Sequence, residues 1–182
     1  YGGRMIGALT SNMRFSYTGI DPNTKTYNGL VALGELMTEL GLGSGYQMNH
    51  MPSEQFSPEP GSFDAAFSSP PYFNLETYTD EDTQCMNSCS TLDDWFGNYV
   101  EPTVQMLHTA LAKDALYAVN IADYKDGKEE FKIVDRWKEL SEQKGFKFIE
   151  QIDMLLNVRP GTGNNKLENA YKSEGIYLFK KT

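Results

Sequence analysis

Residues Phe67 to Tyr78 read FSSPPYFNLETY. This stretch follows the short apolar run DAAF, Asp64 to Phe67, which has the length and composition of a buried strand, with Asp64 at its start. A strand that merely turns toward solvent usually ends in Gly, Asn or Asp, each for a backbone reason. Here the exit carries two serines and two prolines. Each proline fixes its own φ and pushes the residue before it toward extended conformations, so Ser69, Pro70 and Pro71 form a stiff rod that ends at Tyr72. A rod of that kind at a strand end places the groups on it.

Outward from this stretch, helix and strand signals alternate. Upstream, RFSYTGID reads as a strand closed by the acid Asp21. Tyr27, Leu30, Val31, Gly34, Met37 and Leu40 then recur at helical spacing, with Gly41 as the stop. Downstream, the spacing predicts a helix from about Leu92 to Ala112, capped by Thr91 with Asp94 and kinked or divided at Pro102. ALYAVNI, Ala115 to Ile121, is a continuous apolar run typical of a strand buried on both faces. A further helix is expected over about Glu129 to Lys144, ending at Gly145, and FKFIEQIDMLL and GIYLFKK read as two closing strands. Alternation of this kind implies a mostly parallel sheet covered by helices, with ligands beyond the carboxyl ends of its strands.

The 182 residues amount to one domain, taken as residues 1–182, and 40% are apolar. No apolar run approaches the roughly 20 residues that span a bilayer, so no membrane partner is expected. The net charge of −9 removes a general nucleic-acid surface, because Lys and Arg neutralising phosphates supply most non-specific affinity. Any nucleic-acid contact must be local. Cys85 and Cys89 supply only two ligands with no histidine nearby, so they are read as free thiols and no metal is expected. His50 and His108 have no visible partners and are taken as structural or solvated. Glu81, Asp82, Asp93 and Asp94 read as a solvated acidic face.

Three features fall at strand ends. YGGRMIGAL opens a short helix with the pair Gly2 and Gly3, where backbone amides can receive an anionic group. Asp21, in the turn Asp21-Pro22-Asn23, lies about twenty residues after those glycines, where an acid commonly accepts hydrogen bonds from a ribose; a plain strand-end turn reads equally well. The third is the rod itself.

Together these residues resemble the class I S-adenosylmethionine-dependent methyltransferases, in particular the DNA amino-methyltransferases of cytosine-N4 and adenine-N6 type. That family carries Asp, Asn or Ser, then Pro-Pro, then an aromatic, after its fourth strand; Ser69-Pro70-Pro71-Tyr72 matches it. GGRMIGAL resembles the end of the cofactor loop, GIDPN the ribose-binding strand end, SSPPYFNLETY a subgroup common among phage and bacterial methylases, and LYAVNIADY the strand after the catalytic one. The resemblance implies an α/β, Rossmann-like sheet, mostly parallel with a C-terminal antiparallel strand and helices on both faces. It also implies that the family's first strand lies outside this chain, within a longer polypeptide or in an additional domain or chain that also supplies target recognition.

The resemblance further implies S-adenosyl-L-methionine as cofactor, held by Gly2, Gly3, Asp21, Pro22 and Asn23. DNA is the implied partner, through local contacts. The catalytic residues would be Ser69, Pro70, Pro71 and Tyr72. The Ser69 hydroxyl oxygen and the Pro70 carbonyl would accept hydrogens of an exocyclic amine, and Tyr72 would stack on a base taken out of the duplex. Phe73 is a further candidate for base contact, and Arg159, Lys166 and Lys172, which share one glycine-rich loop, are candidates for phosphate contact. Serine at the first position favours cytosine N4 slightly over adenine N6. The implied setting is the cytoplasm of a bacterial or phage-infected cell, in site-specific DNA methylation such as restriction-modification. Two alternatives stay open: methylation of RNA or of a protein glutamine amide, and a non-catalytic methyltransferase-like binding or assembly module.

Overall fold

A computed structural model describes residues 2–13, 15–73, 89–155 and 173–182. The chain divides into two compact units, one made of Tyr1–Pro58 with Tyr72–Met106 and the other of Glu59–Pro71 with Leu107–Thr182.

In the first unit, α1 (Gly3–Leu9) is followed by β1 (Tyr17–Ile20), α2 (Thr24–Glu39) and β2 (Tyr46–Asn49). β1 and β2 run parallel, with Tyr17 opposite Tyr46 and Ile20 opposite Asn49. A strand, a helix and a second parallel strand form the crossover unit that the alternating pattern predicts. The four-residue β2 leaves no mark in the sequence, because YQMN carries too little apolar pattern to declare a strand. Both ends of α2 are built from local chemistry. The Asn23 side chain caps it by accepting the Thr26 N–H at 2.8 Å. At the other end, Gly41 sits at φ 68°, its N–H donating to the Thr38 carbonyl while that of Leu42 donates to Met37. This pair of bonds closes the helix as Gly41 predicts. Met5, Leu9 and Met37 form the buried centre where α1 packs on α2, with Tyr17, Leu30, Leu33 and Tyr46 around it.

The helical stretch after Thr91 is capped and divided as expected, with a wider turn at the division. The capping box forms as read: Thr91 Oγ1 accepts the Asp94 N–H, and an Asp94 carboxylate oxygen accepts the Thr91 N–H, both at 3.0 Å. From there α3 (Leu92–Trp95) gives way to a π-helical turn over Phe96–Val100 before α4 (Glu101–Ala110) resumes. Pro102 has no N–H to offer the preceding turn, and the wider turn sits immediately before it. The helix also ends at Ala110, two residues short of the expected end, because Leu111 has already joined the next strand.

In the second unit, β3 (Phe63–Ser68), β4 (Leu111–Ile121), β7 (Phe146–Leu155) and β8 (Ser173–Lys181) form one sheet in the order β3-β4-β8-β7. β3 and β4 are parallel, whereas β8 is antiparallel to both of its neighbours. The register of β3 on β4 slips between Phe63 and Ala65, and β4 absorbs its extra residues around Asp114. Asp114 takes a positive φ of 65° and pairs with Lys180 at 2.7 Å. Tyr117 anchors the core of this unit, stacked on Phe179 and edge-on to Phe146, both at 4.7 Å between ring centres. Its hydroxyl bonds the buried Ser141 on α5 (Val134–Gln143), and Ser141 in turn donates to the Trp137 carbonyl at 2.8 Å.

The helix expected from Glu129 begins only at Val134. The residues before it form a hairpin of β5 (Tyr124–Asp126) and β6 (Glu129–Phe131), joined by Gly127 and Lys128. Gly127, the first residue of this two-residue loop, has the positive φ, 59°, that such a loop requires, and the turn outweighs the apolar spacing that predicts a helix. Asp123 then caps α5 by accepting the N–H groups of Ile133 and Val134 on one oxygen, at 2.9 and 3.0 Å.

Candidate functional site

The residues singled out in the sequence collect at two strand ends, one in each unit. In the first unit, Asp21 directly follows β1. Its backbone N–H donates to the Asn49 carbonyl at 3.1 Å, and its Oδ1 accepts the Asn23 N–H at 2.9 Å. Asn23 therefore serves twice, orienting the acid through its backbone and starting α2 through its side chain. Half-burial pushes the Asp21 carboxyl above the usual carboxylate range; the Asn23 N–H, His50 and Arg4 oppose that shift without cancelling it. Arg4 lies in the first turn of α1, so its influence on Asp21 ties the glycine-led helix start to the acid. Gly2 caps α1 at φ 88°, and a Cβ there would meet Leu33 Cδ2 at 2.9 Å. Only glycine fits that position without displacing the packing of α2.

His50, for which the sequence shows no partner, has partners at this same strand end. It follows β2, its Nε2 lies 3.1 Å from the Pro22 carbonyl and 3.3 Å from Thr24 Oγ1, and its ring stacks on Tyr27 at 4.8 Å. A carbonyl can only accept, so Nε2 carries the proton it donates to Pro22. The turn Asp21-Pro22-Asn23 is thus braced from both sides. Neither His50 nor Tyr27 carried a sequence signal for this, because their meeting depends on β2, which the sequence barely declares.

In the second unit, Ser69 is the first residue after β3. The register sets Ser68 opposite Val119, which brings Ser69 level with Asn120 on the parallel neighbour β4. The Ser69 hydroxyl donates to Asn120 Oδ1 at 3.3 Å, and Asn120 Nδ2 donates to the Gly175 carbonyl on β8 at 3.1 Å. Asn120 is 8% exposed, whereas Ser69 is exposed. Nothing in ALYAVNI singled out its asparagine; a polar residue inside an otherwise apolar strand was the available signal.

Pro70 is buried and Pro71 half-buried, so the rod is anchored along its length. Tyr72 and Phe73 belong to the first unit. Tyr72 is half-buried, whereas Phe73 is 7% exposed. Arg159, Lys166, Lys172 and Cys85 lie outside the described residues. Cys89 is buried. His108 also fits its structural reading: it meets the Phe146 ring edge-on at 5.5 Å, and burial, helped by Lys181, lowers its pKa. Among the described residues no cluster of His, Cys, Asp and Glu could hold a metal ion, and no helix is long and apolar enough to cross a membrane.

No protein-family model matches the sequence, and no curated protein matches it. Solved structures do resemble it. A SAM-dependent methyltransferase from Methanosarcina mazei superposes with a TM-score of 0.55 at 14% identity, over 93% of this chain and 83% of that one. The [4+2]-cyclase SpnF gives 0.63 at 11% identity over 99% and 70%. A candidate DNA modification methylase from Thermus thermophilus, complexed with S-adenosyl-L-methionine, gives 0.51 at 14% identity. This chain covers 53% of that methylase, with 72% of its own residues aligned. The fold is therefore the Rossmann-like α/β fold of the class I methyltransferases, with parallel strand pairs and an antiparallel C-terminal strand.

Proposed function

We propose that this chain transfers a methyl group from S-adenosyl-L-methionine to the exocyclic amine of a flipped DNA base, cytosine N4 in preference to adenine N6. The observation that carries this reading is Ser69-Pro70-Pro71-Tyr72 at the carboxyl end of β3, a parallel strand, with the serine hydroxyl engaged inward on Asn120. The resemblance to the amino-methyltransferases supplies the rest.

The residues of the first unit fit the nucleoside end of the cofactor. Asp21 is a half-buried acid at a strand end with only one oxygen engaged by Asn23, which suits a vicinal diol. Gly2 and Gly3, Pro22 and Asn23 complete the proposed cofactor contacts. When bound, S-adenosyl-L-methionine supplies a methyl group on a sulfonium, and the carbon–sulfur bond breaks with its electron pair left on sulfur.

The remaining work falls to the protein. An exocyclic amine is a poor nucleophile because its lone pair is delocalised into the ring. Acceptors at Ser69 Oγ and the Pro70 carbonyl hold its hydrogens while the nitrogen pyramidalises and forms the new bond to carbon; the surplus proton passes to water. The buried Pro70 keeps the carbonyl in register, a positioning effect. Unstacking the base costs a few kcal/mol, and stacking on Tyr72 offsets about 1–3 kcal/mol of it. Phosphate contacts fall to Arg159, Lys166 and Lys172, and target recognition to those contacts and to a further domain or chain.

The net charge of −9 suits a protein substrate better than a polyanion and favours a second reading, in which the amine is that of a protein glutamine amide; RNA is the remaining alternative acceptor. Incubating the full polypeptide with methyl-labelled cofactor and DNA, RNA or protein separates them: label in DNA supports the first, label in protein the second, and label in RNA the remaining alternative. A protein that does not bind S-adenosyl-L-methionine in a calorimetric titration is instead a non-catalytic module.

A further inference from the structure

We propose that Asn120 is a positioning residue that fixes which way the Ser69 hydroxyl points, so that the oxygen offers its lone pairs to the substrate amine. This rests on the amine-methyltransferase reading above and assigns a role to a residue outside the tetrapeptide.

The argument is a chain of hydrogen-bond polarities. The Gly175 carbonyl can only accept, so the group of Asn120 that faces it at 3.1 Å must be the amide nitrogen. The same carboxamide then necessarily presents its oxygen at the other end, toward Ser69. That oxygen can only accept, so the Ser69 hydroxyl at 3.3 Å spends its single proton inward. Both lone pairs of Oγ remain for other partners, on an exposed residue at the strand end.

A serine free to rotate would offer a donor as readily as an acceptor. Toward an amine whose hydrogens must be held, a donor is the wrong polarity. The polarity is anchored by burial: Asn120 and Gly175 are buried, and an unmet polar group there loses its water without gaining a partner, so flipping the carboxamide is disfavoured. Glycine at 175 belongs to the arrangement, since a Cβ there would meet the Tyr177 hydroxyl at 2.6 Å.

The test is a double-mutant cycle in the full polypeptide, following transfer of labelled methyl together with cofactor affinity and melting temperature. Ser69→Ala lowers kcat about a hundredfold, on the scale of losing one hydrogen-bonding group at a reacting centre. Asn120→Leu is expected to lower kcat at least tenfold with cofactor Kd unchanged. In the Ser69→Ala background it should cause no further loss, because there is no hydroxyl left to orient. Asn120→Asp keeps an acceptor toward Ser69 and sets an oxygen against the Gly175 carbonyl, so it should lower the melting temperature while retaining most of kcat. That variant carries the test alone if Asn120→Leu does not fold.

Losses that multiply in the double variant, or kcat that falls in step with melting temperature across both Asn120 variants, would overturn the role of Asn120 and leave the methyltransferase reading standing. A wild-type protein that transfers no methyl group to any acceptor overturns that reading, and this proposal with it.

Discussion

Two strand ends do comparable placing work in this molecule by different means. At the carboxyl end of β1, the side chain of Asp21 is held by the N–H of Asn23, two residues further on, and Asn23 also starts the next helix. At the carboxyl end of β3, Ser69 is held by Asn120, 51 residues away, which is held by Gly175, another 55 residues away. The first anchor forms from one short stretch of chain. The second exists only once β3, β4 and β8 have paired in register. A site residue held locally can be read and perturbed locally, whereas one held through a sheet inherits every error in that sheet.

The largest effect is expected in the tetrapeptide that follows β3. Tyr72→Ala, removing a stack worth about 1–3 kcal/mol, should lower kcat/KM for methyl transfer by roughly ten- to hundredfold while leaving the cofactor Kd within twofold. Asp21→Ala should do the reverse. It is expected to weaken S-adenosyl-L-methionine binding about tenfold by calorimetry, with little change in kcat at saturating cofactor, as befits removal of binding common to ground and transition states. If either variant shows the other's signature, the division of labour between the two ends fails.

That division also marks what the sequence discloses. The Asp21 turn, the Thr91 cap, the Gly41 stop and the Ser69 rod were legible because each depends on residues within a few positions. The closing antiparallel pair was legible from its two apolar runs. β2 was not, because its four residues carry little apolar alternation, and with it went the partners of His50. The hairpin at Gly127 was hidden by apolar residues that happened to fit a helical period. Asn120 was invisible as a site residue because its meaning comes from register, which places it level with Ser69 and one residue past Val119.

Smaller effects sharpen the local end. Asn23→Ala removes the side-chain acceptor of the Thr26 N–H and should destabilise the protein by about 1 kcal/mol in chemical denaturation. Asp21→Asn should have the smallest effect, and one that depends on pH. Burial raises the Asp21 pKa above its ordinary 3.8, so the folded state holds that proton more tightly than the unfolded chain. The associated stability is fully present below 3.8 and is lost as pH rises through the higher folded value. The asparagine variant avoids that loss, so it should melt slightly above wild type at pH 7, and the difference should vanish near pH 3.

The most direct test of the central claim is nucleoside analysis by mass spectrometry of DNA treated with the full polypeptide and methyl-deuterated S-adenosyl-L-methionine. Deuterated methyl on cytosine N4, absent with Ser69→Ala, is the result predicted here. Deuterated methyl on a ring carbon, or an amine-methylated base formed equally well without the Ser69 hydroxyl, would contradict it.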